Sequence, residues 1–171
     1  MDMRHIKDLI TILDTNNIVL MKEVLRILCN VSNNELGKKI LMKYNIIPYL
    51  NKLLQNYTDS SIPKCVVACL SNIATSQDLK KSLIENHCLV YVMDVFQGGL
   101  GDFDTELVKY SLYFIGNICE DYPEAAYLLG KIKTIKYMGR FFNSKLTGEL
   151  LGDGLDALYA LLQIKENLYT Y

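Results

Sequence analysis

Apolar residues recur along this chain at spacings of three and four, and the strict apolar–polar alternation of a half-buried strand is missing throughout. The pattern predicts helices and no sheet. Four apolar segments align on one position: EVLRILCNVSN (23–33), CVVACLSNIAT (65–75), YSLYFIGNICE (110–120) and DALYALLQIKE (156–166). The shared position holds Asn30, Asn72, Asn117 and Gln163, at intervals of 42, 45 and 46 residues. Such a period is that of a helical repeat array.

The rest of each unit recurs as well. A short helix is expected in ELGKKILMKYN, DLKKSLIENH and EAAYLLGKIK, followed by a second in IIPYLNKLLQ, CLVYVMDVFQ and TIKYMGRFFN. Between the two stand Asn45, His87 or Lys133, where a sharp turn asks for left-handed backbone. QGGLGDFDT (97–105) is expected to be a loop accounting for one longer interval. Ser32-x-x-Glu35, Asp121-x-x-Glu124 and, more weakly, Thr75-x-x-Asp78 have capping-box spacing, and Pro123 fits the first turn of a helix. The repeats then run approximately 1–31, 32–74, 75–119 and 120–168 of a single domain.

Three helices per unit, the third ending in A-x-x-L-x-N-[IVL], resemble the armadillo repeat of importin-α, β-catenin and their relatives. The motif stands as ACLSNIA (68–74) and YFIGNICEDYPE (113–124), the latter similar to the importin-α pattern with Tyr113 in place of tryptophan. HEAT repeats, the competing helical solenoid, lack this asparagine. The resemblance implies an all-α fold, a right-handed superhelix of about four three-helix repeats. Two departures stand out: the turn between first and second helices lacks the family's glycine, and the chain has no tryptophan.

At 100° per residue, positions −6, −2 and +1 from the asparagine form one stripe: Val24, Leu28, Val31; Val66, Leu70, Ile73; Ser111, Ile115, Ile118; Ala157, Leu161, Ile164. This is the expected core. The asparagine with −4, −7 and −11 faces the other way, and in a solenoid the third helices line a concave groove. The family resemblance implies that Asn30, Asn72, Asn117 and Gln163 grip the backbone of an extended peptide, with Tyr110, Tyr113 and Tyr159 packing on its side chains. A local role, in which each amide bonds its own turn or a neighbouring repeat, is the alternative and can coexist. Gly116, at −1, is expected to let third helices pack closely.

Charge divides the groove. Lys22, Arg26 and Lys64 lie in the first half, where Arg26 and Lys64 would select acidic ligand positions. Glu106, Glu120, Asp121, Asp156 and Glu166 lie in the second, with Lys109 as the exception. Tyr113, Asn117, Glu120, Asp156 and Tyr159 would serve the runner-up, an importin-α-like adaptor for basic nuclear-localisation segments. A third reading is a structural subunit that associates through its solenoid ends, where apolar surface is exposed, including self-association.

Composition excludes more than it adds. Net charge is −1, which gives no global field for nucleic acid or an anionic membrane, and no apolar run is long enough to span a bilayer. The N-terminal segment has no signal-peptide pattern. Five cysteines without CxxC, beside two histidines, suit buried free thiols in the cytoplasm or nucleus better than a metal site. No nucleophile–base constellation, phosphate loop or cofactor motif is present. The expectation is a non-enzymatic protein-interaction module.

Overall fold

The structure, a computed structural model, describes residues 3–15, 17–57, 59–102 and 104–169. Among these every regular element is helical: α1 (Met3–Ile12), α2 (Ile18–Val31), α3 (Glu35–Lys43), α4 (Ile47–Gln55), α5 (Ser61–Ala74), α6 (Gln77–Glu85), α7 (Cys88–Asp102), α8 (Thr105–Cys119), α9 (Pro123–Lys131), α10 (Thr134–Phe142), α11 (Thr147–Leu161), and a closing 3₁₀ turn (Lys165–Tyr169). The recurring unit is a nine-residue helix, a second helix, then a long third helix. The third helices α2, α5, α8 and α11 stack one on the next and carry the closest packing between units.

The apolar stripe explains the stack. Val24, Leu28, Val66, Leu70, Ile73, Ile115, Ile118, Ala157 and Leu161 are buried, as is Ser111, with Val31 and Ile164 half-buried at the ends. Phe96, Phe114 and Phe141 are wholly buried, Phe141 against Gly154 of its own unit's third helix. No single unit encloses such a core, so each helix is held by its neighbours rather than by its own propensity. Asn45, His87 and Lys133 have φ of 51°, 60° and 65°, the left-handed turn their position predicts. No glycine is needed because the turn is a single residue.

Two local expectations are overturned. The glycine run 97–102 is not a loop: α7 continues through it to Asp102. Packing overrides propensity there, since a Cβ on Gly99 would lie 3.3 Å from Leu107 and Val108 side chains and Leu100 is buried. The chain turns later, where Asp104 caps α8 by accepting from the Leu107 N–H. The capping boxes do not form either. Ser32 and Thr75 are C-caps of the preceding helices, their hydroxyls donating to the Cys29 and Asn72 carbonyls. Asn34 caps α3 and Ser76 stands at the start of α6. Asp121 sits in the left-handed region at φ 50° and does not cap α9, which opens with Pro123 after Tyr122.

Polar groups lock the first two junctions. Asn72 Nδ2 donates to the Cys29 carbonyl (3.3 Å) and Ser32 Oγ (3.0 Å); Asn117 Nδ2 donates to the Ser71 carbonyl (3.1 Å) and its Oγ (3.2 Å). Lys38 and Lys80, both buried, occupy the fourth position of α3 and α6. The Lys38 ammonium donates to Thr75 Oγ1, the C-cap of the next third helix, and the Lys80 ammonium to the Glu120 carbonyl, the C-cap of the one after. Cations suit a helix C-terminus, where carbonyls lack partners. Burial nonetheless lowers the Lys80 ammonium's pKa, against the pull of Glu120 and Asp121.

Cys69, Cys88 and Cys119 are buried and free, and burial pushes each thiol from 9.0 up to about 12. Below pH 9 the native and unfolded thiols are both protonated and stability is unaffected; between pH 9 and 12 the unfolded thiol releases its proton while the native one keeps it, so stability falls as pH rises. Each should cost about 1 kcal/mol of stability at pH 10. We expect the urea midpoint to drop between pH 7 and pH 10, with a smaller drop in Cys69→Ala. Asn117→Ala should lower stability by about 1 kcal/mol through its lost junction bonds, while Asn30→Ala, exposed at the end of the first third helix, should change little. Equal effects in urea titrations would contradict the junction role.

Candidate functional site

Residues −4, −7 and −11 from the asparagine form the exposed face of the third helices, as their phase requires. Glu23, Arg26, Asn30, Glu106, Asp156 and Gln163 are exposed, Cys65, Tyr110, Asn72 and Asn117 half-buried, and Tyr159 is 72% exposed. Ala68 is the exception, buried in α5. Asn72 and Asn117 perform the local role: their amide nitrogens staple adjacent repeats. That leaves each Oδ1 without a hydrogen-bond donor among the described residues, at the surface and held in place. Gln163 differs, its Nε2 donating to its own turn at the Tyr159 carbonyl (3.2 Å).

The cations of the first half already have partners. Arg26 pairs with Glu23 at 2.5 Å, Lys22 with Asp59 at 2.7 Å, and Lys64 with Asp104 at 3.0 Å and Glu106 at 3.5 Å. Lys22, with Ser61, holds the Asp59 carboxyl far below the usual carboxylate range, and Asp104 raises the Lys64 ammonium. All of these pairs but Arg26–Glu23 run from one third helix to the start of the next, so they serve stacking. Lys109 lies over the Tyr113 ring at 5.6 Å, and Tyr110 meets Tyr113 edge-on at 6.5 Å between centroids.

The second half is built differently. Between α8 and α11 lies an open cavity of about 520 Å³, lined by Gly116, Asn117, Glu120, Asp121, Asp156, Tyr159 and Gln163, together with Ala126 and Ile164. That volume is within the range of ligand-binding clefts. The carboxylates Glu120, Asp121 and Asp156 form no ion pair among the described residues, and the nearest buried cation is Lys80 behind Glu120. Five predicted residues therefore meet here: Asn117, Glu120, Asp156, Tyr159 and Gln163. Arg26, Asn30, Lys64, Asn72, Tyr110 and Tyr113 stand outside it.

Gly116 is not a close-packing contact. A Cβ there would meet nothing within 4 Å, because the glycine faces the cavity. At the same register Cys29 and Ser71 accept from the next repeat's asparagine, a bond Gln163 does not make to Gly116. Ala126 and Tyr122 also line the cavity without having been singled out in the sequence, and Pro123, expected only as a helix start, lines it too. For Ala126 a signal exists: it is the fourth residue of its nine-residue helix, where α3 and α6 carry Lys38 and Lys80.

No protein-family model matches the chain, and no curated protein sequence does. Solved structures do. An engineered protein superposes with TM-score 0.86 at 19% identity, over 99% of this chain and 67% of its own. A designed armadillo repeat protein solved in complex with the peptide (KR)4 gives 0.81 at 22%, over 91% and 64%. Computationally designed armadillo repeat proteins for modular peptide recognition give 0.81 at 22%, over 91% and 63%. The chain has the armadillo-repeat fold, an all-α solenoid, and spans about two thirds of the length of these neighbours.

Because Gly116 has open space beside it inside a helix, Gly116→Ala should raise stability by about 1 kcal/mol, read as a higher urea midpoint. A decrease would show that the site cannot accept even a methyl group.

Proposed function

We propose that the chain is a non-enzymatic protein-interaction module that holds an extended segment of a partner along the face made by α2, α5, α8 and α11. The observation that carries this is the pair of anchored amides. Asn72 and Asn117 are fixed through Nδ2 and keep Oδ1 as an acceptor for the N–H groups of an unpaired peptide backbone. Tyr110, Tyr113 and Tyr159 supply apolar surface beside them, of the kind that dominates recognition surfaces. The peptide complex of the designed neighbour fits this reading.

Charge favours the second of the two ligand classes. Arg26 and Lys64, which would select acidic positions, are engaged by carboxylates of this chain, whereas Glu120, Asp121 and Asp156 form no ion pair among the described residues, the buried Lys80 ammonium attracting the first two only from behind. A basic segment, as in an importin-α-like adaptor, is supported at the C-terminal half, and an acidic one would have to displace internal pairs at the N-terminal half.

Photo-crosslinking tests the face itself. A benzophenone side chain placed at Tyr113 or Tyr159 should capture a cell-lysate protein that Tyr137, on the second helix α10, does not. Replacing Asn72 and Asn117 together with aspartate keeps Oδ1 but removes the staple, and alanine removes both. Capture should therefore fall further in the alanine pair than in the aspartate pair. Capture by Tyr137 alone would reject the face.

A further inference from the structure

The second helices α4, α7 and α10 repeat one solvent-facing pattern in register. A half-buried tyrosine recurs at the same place in each, as Tyr49, Tyr91 and Tyr137, with four exposed positions around it. In the first unit these positions hold Lys43, Asn45, Pro48 and Lys52, and Lys52 is paired with Asp14 at 2.7 Å. In the second they hold Glu85, His87, Val90 and Asp94, and Glu85 is paired with Lys81 at 3.7 Å. In the third all are cations: Lys131, Lys133, Lys136 and Arg140. None of these cations has an ion-pair partner among the described residues. α10 contains no acidic residue, and Asp94, the counterpart of Arg140 on α7, forms no ion pair with it. Instead, two of the cations rest on tyrosine rings, Lys131 over Tyr127 at 5.1 Å and Arg140 over Tyr137 at 5.7 Å. A ring holds a cation in place without cancelling its charge. Lys136 and Arg140, one helical turn apart, repel each other, so the fold gains nothing by gathering them.

We propose that Lys131, Lys133, Lys136 and Arg140 form a docking stripe for an acidic, extended segment of a partner protein. The stripe lies on the second-helix side of the solenoid and does not depend on the third-helix groove. Its spacing matches such a segment. Lys136 and Arg140 are separated by a rise of about 6 Å along α10, with Lys133 one turn earlier on the same side. Alternate carboxylates of an extended chain project to one side about 6.7 Å apart, so two of them meet Lys136 and Arg140 together. A third then lies toward Lys133 and Lys131. The Arg140 guanidinium offers a carboxylate two parallel N–H donors. The face suits other large anions poorly. Tyr127 is the only exposed large apolar side chain of α9 and α10, which leaves little to insert into a lipid surface. Lys131 and Arg140 cover the rings on which a nucleic-acid base would stack.

Fluorescence anisotropy on the full chain tests the stripe, with fluorescent peptides in which serine alternates with glutamate or with glutamine. At low ionic strength the glutamate peptide should bind at least tenfold more tightly than the glutamine one, and the difference should shrink as salt is added. Lys136→Glu with Arg140→Glu should abolish most of that preference while the helical circular-dichroism signal stays, since both side chains are exposed and outside any ion pair. Lys7→Glu with Lys43→Glu alters net charge equally at exposed positions elsewhere and should retain the preference, as should the Asn72/Asn117 alanine pair. Should the reversed pair fail to fold, Lys136→Gln with Arg140→Gln should weaken glutamate-peptide binding about fivefold. Equal binding of the two peptides, binding of neither, or equal loss in the two charge-reversed pairs overturns the stripe. Loss only in the Asn72/Asn117 alanine pair also overturns it, and assigns the acidic ligand to the groove instead. Tighter binding of phosphatidylserine vesicles or of a single-stranded oligonucleotide than of the glutamate peptide overturns the assignment to a protein segment.

Discussion

The stacking of one third helix on the next is the constraint from which most of the molecule follows. Each third helix has apolar residues on more of its circumference than its own unit covers, so it stays folded by lying between two others. Leu70, Phe114 and Ile115 are wholly buried in the stack in which α5 and α8 are pressed together. Once stacking sets the spacing, backbone carbonyls at the helix ends come within reach of the neighbouring unit. The asparagines and buried lysines answer them.

This gives the asparagine a double meaning. An amide carries two donors and an acceptor, and in Asn72 and Asn117 the donor end is used to fasten repeats while the acceptor end stays at the surface. Fastening also fixes the acceptor in advance, which lowers the side-chain entropy the protein would lose on binding a ligand. In the proposed groove, structure and recognition share one side chain, so a substitution would affect both, and stability must be measured beside affinity.

Irregularity, rather than repetition, marks the place where the groove is chemically distinct. Through two junctions the pattern holds: small accepting residue, crossing amide, buried lysine, ion pair from Lys22 or Lys64 to the next unit. At the third, Gly116, Ala126 and Gln163 each omit their part, and the omissions coincide in space as a cavity rimmed by carboxylates. Scattered over forty-odd residues of sequence, the three look unrelated.

Periodicity and the recurring asparagine determined the helical repeat from sequence alone, because a register of three and four with a fixed marker is a property of the chain itself. The left-handed turns at Asn45, His87 and Lys133 were equally legible, since a one-residue turn between two helices leaves few backbone options. What tertiary structure decided was every matter of partner. Ser32 and Thr75 turned out to end one helix rather than begin another, because a capping motif reads the same from either side. Residues 97–102 stayed helical around Gly99, which packs against Leu107 and Val108, and buried Leu100, an effect no local glycine count contains. Charges that the sequence placed on the face divided into those consumed by the next repeat and those left open. That division depends on distances between units, which only the stacked structure sets.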